Sequence, residues 1–157
     1  MKAWLSLFLL VLIVSAQTST PPVTELRVRV VDVRDAHPYS SRTILVQFHV
    51  PQTPELQTLE GTTGADGVAV FRFPEAVPKV ISTHVAGEGL YACYRFYPID
   101  THQVLTDGIV ARCTTPPQGC ACKFSKRIDE IQTRPGEAVL PVRPFTKWER
   151  IAGHLWE

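Results

Sequence analysis

The chain has 157 residues, 45% hydrophobic and 20% charged, with a formal net charge of +1. That balance excludes an electrostatic nucleic-acid binder, which needs clustered positive charge. The one short basic run, Lys123, Lys126 and Arg127, is answered by Asp129 and Glu130 and reads as a solvated face.

The first sixteen residues carry the parts of a secretory signal. Lys2 is the positive n-region, Ala3 to Val14 an uncharged apolar core, and Val14-Ser15-Ala16 puts small residues before a cut at Gln17. The apolar run is roughly a dozen residues, whereas a spanning helix needs about twenty. Cleavage is therefore expected rather than anchoring, and no other stretch is apolar enough to cross a bilayer. The expected organisation is a signal over 1–16, a polar leader over 17–24, a sandwich domain over 25–145 and an amphipathic helix over 146–157.

Period-two patterns begin at once. Leu26, Val28 and Val30 alternate with Arg27 and Arg29, the mark of a half-buried strand. Thr43 to His49 repeats it, ended by Pro51 and Pro54. Gln57 to Thr62 is a further predicted strand. The turn Gly64-Ala65-Asp66-Gly67 offers residues that accept positive φ and leads into a strand over Val68 to Phe73. Val80 to Ala86, the aromatic-rich Ala92 to Tyr97, the shorter Gly108 to Cys113, and Ala138 to Val142 after Pro135-Gly136 complete the set.

Seven or eight short strands between Gly, Pro and Asp clusters predict an all-β fold, an antiparallel two-sheet sandwich, with a small barrel as the alternative. Helix is expected only at the end. There Thr146-Lys147-Trp148-Glu149 is a capping box, and Trp148, Ile151, Ala152 and Leu155 recur at helical spacing. The expectation is that this helix docks its apolar face on the sandwich. A partner-binding face built on its indoles is the other reading.

Cys93, Cys113, Cys120 and Cys122 are an even set in an exported chain, which predicts two disulfides. A metal cluster of Cys113, Cys120 and Cys122 is the rival, but it lacks paired C-x-x-C spacing. Cys120 and Cys122 are too close to bridge each other without strain. Cys113 is thus expected to pair with one of them and Cys93 with the other.

The order of parts from Leu26 to about Tyr97 resembles the carboxypeptidase regulatory-like domain of the transthyretin-like (prealbumin-like) sandwiches. The likeness rests on Val30-Val31-Asp32 closing the first strand and on the turn-rich Arg34 to Ser41 before Ile44-Leu45-Val46-Gln47-Phe48. It rests also on Thr62-Thr63-Gly64-Ala65-Asp66-Gly67-Val68-Ala69-Val70-Phe71, with Gly136-Glu137-Ala138-Val139-Leu140 as a closing strand. The resemblance covers about half of the exported chain and implies a folding support, an adhesion module, or a unit that binds protein or carbohydrate.

Enzymes of the same superfamily carry residues that this chain lacks. Hydroxyisourate hydrolases hold a histidine in the first strand, where Arg29 stands here, and end in Tyr-Arg-Gly-Ser rather than His154-Leu155-Trp156-Glu157. Intradiol dioxygenases bind iron through two tyrosines and a His-x-His pair. Tyr91, Tyr94, Tyr97, His84 and His102 lie near one another in sequence, but no His-x-His exists. Ser40-Ser41 has no nucleophile elbow, and Asp32 with Asp35 reads as surface charge.

No catalytic residue, cofactor or metal ligand is therefore assigned. The expected role is a non-enzymatic module, extracellular or periplasmic, with Tyr91, Tyr94, Tyr97 and Trp148 as the aromatics able to meet a protein or carbohydrate. The alternative reading is a transthyretin-like enzyme, such as a relative of the iron-dependent ring-cleaving dioxygenases, or a small-molecule carrier with its ligand between the sheets.

Overall fold

In a strand buried on one face, every second side chain leaves water, and each large aliphatic that does so contributes about 1.5–3 kcal/mol. The computed structural model, which describes residues 25–49, 55–73, 77–86, 89–94, 98–113 and 122–153, follows that rule. The expected signal and leader, Tyr97 and Cys120 lie outside the described residues.

The elements are β1 (Glu25–Asp32), β2 (Thr43–His49), β3 (Leu56–Thr62), β4 (Val68–Arg72), β5 (Val80–Ala86), β6 (Leu90–Ala92), β7 (Ile99–Asp100), α1 (Thr101–Asp107), β8 (Ile109–Val110), α2 (Lys126–Asp129), β9 (Glu137–Pro144) and α3 (Lys147–Gly153). They form the two-sheet sandwich that the strand pattern predicts. One sheet has the order β4-β1-β9-β6 with β8 also beside β9; the other runs β3-β2-β5-β7. Leu26, Val28, Val30, Ala138, Leu140 and Val142 from the first sheet meet Ile44, Val46, Phe48, Ile81 and Val85 from the second, and this cluster fills the space between them.

The expectation of purely antiparallel sheets needs correction. β1 and β9 run parallel, as do β8 and β9. No hairpin joins β1 to β9: the chain goes through the second sheet first and returns in the direction it began. Local alternation carries no trace of such a return. The unbroken run Ala138-Val139-Leu140 does, because a strand buried on both faces shows no alternation. Its outer face is covered by a second small cluster, in which Val31 and Val139 pack on Ile128 of α2.

Pro141 sits inside β9, where a proline would ordinarily cost a ladder bond. Val142 turns its carbonyl to Val33 on the β1 side, whereas Val139 and Pro141 accept from Ala111 and Cys93 on the other. β8 has ended there and β6 pairs only from Val142 onward, so the proline faces the gap between two short partners.

Cys93 is bonded to Cys122 across a sequence separation of 29, with Cα atoms 5.5 Å apart. Closing a loop of that length removes about 3–4 kcal/mol of freedom from the unfolded chain. The bridge fastens the strap that begins at Cys122, whose Ser125 amide donates to the Val33 carbonyl at 3.1 Å. Cys113 is disulfide-bonded too.

Two local readings change. Within the described part of the aromatic strand expected over Ala92 to Tyr97, which ends at Tyr94, the strand is Leu90–Ala92; the Cys93 amide then donates to the Pro141 carbonyl and Tyr94 is buried. And α1, α2 and α3 are all helical, where helix was expected only at the end. No described helix is long and apolar enough to cross a membrane.

The turn read from Gly64 to Gly67 forms as expected. Gly67 has φ 74°, and a Cβ there would come within 2.7 Å of the Pro38 Cβ, so only glycine fits.

Candidate functional site

The site is assembled at the end of β9. Tyr91 and Arg143 are direct cross-strand partners of the β6–β9 pair. The Arg143 guanidinium lies 4.4 Å from the Tyr91 ring centroid, a cation–π stack. Phe145 meets the same ring edge-on, 6.5 Å between centroids, while its amide donates to the Gly89 carbonyl at 2.8 Å.

Arg143 then reaches α3. Its Nη1 and Nη2 donate to Glu149 Oε2 and Oε1 at 2.7 and 2.6 Å, a bidentate pair. Glu149 also completes the capping box: Oε2 accepts from the Thr146 amide at 2.7 Å, and the Glu149 amide donates to Thr146 Oγ1 at 3.2 Å. The Arg143 guanidinium, first, and then the Thr146 amide hold the Glu149 carboxyl down at about 2.

This anchoring decides which side of α3 meets water. Successive residues are about 100° apart around a helix, so Ile151 stands nearly opposite Glu149 and Trp148 about a quarter turn to one side of it. Trp148 is 80% exposed and Ile151 53%. Among the described residues the expected docking of an apolar face on the sandwich is not seen: an ion pair seats the helix, and Trp148 and Ile151 face solvent, while Leu155 lies outside the described residues. What can be read from sequence, an amphipathic stripe with a capping box, does not say which side binds.

The other predicted contact aromatics separate. Tyr91 is half-buried in the stack just described, whereas Tyr94 is a core residue, 4% exposed. Its phenol faces the Val85 amide and the Thr83 hydroxyl, and burial raises its pKa. Tyr97 lies outside the described residues. Of the four, Tyr91 thus stacks on Arg143, and Trp148 stands on α3, the helix that Glu149 ties to Arg143. Arg143, Phe145 and Glu149 were not assigned from sequence. The readable signal was the cross-strand potential of Arg143 and the N3 place of Glu149 in the capping box.

Residues weighed for chemistry take part in ion pairs and hydrogen bonds. Arg29 pairs with buried Glu137 at 3.1 Å. Asp32 is buried rather than a surface charge. It accepts from Arg34 Nη2 at 2.6 Å and Tyr39 Oη at 2.8 Å. The Arg34 hydrogen bond holds its carboxyl down at about 2, and burial pushes the Tyr39 phenol up to about 12. The network fixes the loop in which Ala36 adopts a φ of 61°. Among the described residues no three His, Cys, Asp or Glu side chains gather as a metal-binding group. An open groove of about 440 Å³ runs past His49, Leu56, Val80 and Pro98.

Neither family models, nor curated proteins, nor solved structures give a match to this chain.

Proposed function

We propose that this chain is an exported, non-enzymatic member of the carboxypeptidase regulatory-like, transthyretin-like sandwiches that binds another protein through the outward side of α3. The observation that carries the reading is Trp148, 80% exposed on a helix that Glu149, about a quarter turn away, fastens to Arg143. Large indoles dominate protein recognition because one side chain removes much area from water at small entropic cost. Exposed Ile151 on the same helix favours a protein over a sugar, since an aliphatic neighbour offers a hydroxyl-rich ligand nothing to bond. The disulfide Cys93–Cys122 supports an oxidising compartment. The filled core between the sheets supports a surface site over an internal carrier site.

The test is capture from the host's exported proteins by the immobilised chain starting at Gln17, beside its Trp148→Ala variant. One protein retained by the wild type and lost by an equally stable variant is expected. Equal retention by both, or retention of an oligosaccharide in its place, would contradict the reading.

A further inference from the structure

A sheet ends in backbone donors and acceptors that need a partner, and natural proteins usually blunt such edges with charge, proline, a short strand or a cover. The second sheet treats its two edges differently. On the β5 side, β7 pairs with only Val80 and Ile81. The ladder is extended by the Thr101 amide at the start of α1, which donates to the Lys79 carbonyl at 3.0 Å. Beyond that, the Tyr94 phenol faces the Val85 amide. That edge is short and covered.

Among the described residues the β3 edge has none of these protections. β3 is seven residues long, contains no proline or lysine, and carries Glu60 as its sole charge. Its residues are alternately half-buried and exposed along its whole length, and Leu56 is 52% exposed.

Ladder parity shows which groups are open. Val80 to Ile81 and Lys79 fix odd-numbered β5 residues toward β7. Even-numbered β5 residues therefore bond to β2 through Leu45 and Gln47, and Ile44, Val46 and Phe48 bond to β3. The Thr63 amide, donating to Arg42 at 2.9 Å, continues that same parity. Gln57, Leu59 and Gly61 thus face β2. Leu56, Thr58, Glu60 and Thr62 present their amides and carbonyls to the outside.

We propose that β3 pairs antiparallel with β3 of a second copy across a two-fold axis at Leu59, joining the two four-stranded sheets into one of eight. In this register all four open residues are used: Thr58 lies opposite Glu60 of the second copy, and Leu56 opposite its Thr62. A register shifted to put Glu60 opposite itself would set like charges together, which is unfavourable. The self-complementary order of β3 favours a second copy over an unrelated extended peptide. Charge favours it as well: a chain cut after Ala16 loses Lys2 and keeps fifteen basic and fifteen acidic residues, so copies do not repel through net charge.

The experiment is sedimentation velocity on the chain starting at Gln17 over a concentration series, with Thr58→Glu and Thr58→Lys beside the wild type. The Thr58 side chain is exposed, so neither variant disturbs the monomer, and thermal melting at low concentration checks this. The wild type is expected to show a reversible monomer–dimer equilibrium. Thr58→Glu sets a second carboxylate against Glu60 at both symmetry-related places and weakens the dimer. Thr58→Lys sets an ammonium against Glu60 at the same two places and tightens it. Each shift in Kd is expected to be roughly two- to thirtyfold, two cross-strand charge pairs acting together. A monomer at every concentration overturns the proposal, as does a dimer whose Kd is the same in all three proteins. A dimer lost only with Trp148→Ala assigns self-association to α3 instead and overturns it too.

Discussion

α1 and α3 are both seven residues long, and they are held by opposite means. α1 is fastened by its interior side. Thr101 and Val104 are fully buried, and the Asp100 carboxylate accepts from the His102 amide at 2.9 Å to cap the first turn. Gly108 closes the helix with φ 71°, where a Cβ would collide with the Arg134 carbonyl. The amides of Gly108 and Gly136 both donate to the Val104 carbonyl. α3 contributes an exposed indole and isoleucine to the surface and is fixed by the Arg143–Glu149 pair. Burial makes a helix part of the cooperative fold. A polar latch makes it a local unit that can be released while the sandwich stands.

Breaking each attachment sharpens that difference. Val104→Ala opens a cavity in the main core and should cost about 2–3 kcal/mol, read as a fall in the global denaturation midpoint with unchanged slope. Glu149→Gln removes one charge of a partly exposed pair and should shift the same midpoint by less than about 1 kcal/mol. Its effect belongs on α3 alone, as faster amide exchange over residues 147–151 with the strands still protected.

Acid should reproduce that release in the wild type. The Glu149 carboxyl sits at about 2 in the folded protein and near 4.3 when the chain is unfolded. A depressed folded value means the contribution is present above the unfolded value and is lost as pH falls through the folded one. The latch should therefore loosen between about pH 4 and pH 2, and Glu149→Gln should show no such step at α3. Asp32, also held at about 2, loses its share of stability over the same window, but in the loop after β1. Exchange resolved by segment separates the two.

The same contrast explains what could be read in the sequence. The long strands β1 to β5 were legible because period-two alternation is a local consequence of one buried face. The capping box of α3 was legible because it is a four-residue motif. α1 was hidden: in Thr101-His102-Gln103-Val104-Leu105-Thr106-Asp107 only two large apolar residues mark the helix, and one of them supplies its buried anchor. Its start and stop signals, Asp100 and Gly108, were present but stood among strand-like neighbours. The parallel place of β9 and the orientation of α3 depend on residues distant in sequence. The first rests on a return past β1, the second on where the Arg143 guanidinium sits relative to Tyr91. Of the expected contact aromatics within the described residues, Tyr91 stacks on Arg143 and Trp148 is exposed on α3, whereas Tyr94 is buried in the core.

Both the latch and the proposed contact surface depend on which side of α3 faces water. In the chain starting at Gln17 with Trp156→Phe, Trp148 is the sole indole, and its emission and its quenching by a neutral quencher report that side directly. At neutral pH and low protein concentration, the expected result is the red-shifted emission of a hydrated indole, with quenching close to that of free tryptophan. Blue-shifted emission, shielded from the quencher, would show Trp148 packed on the sandwich and would contradict both the latch and the contact surface.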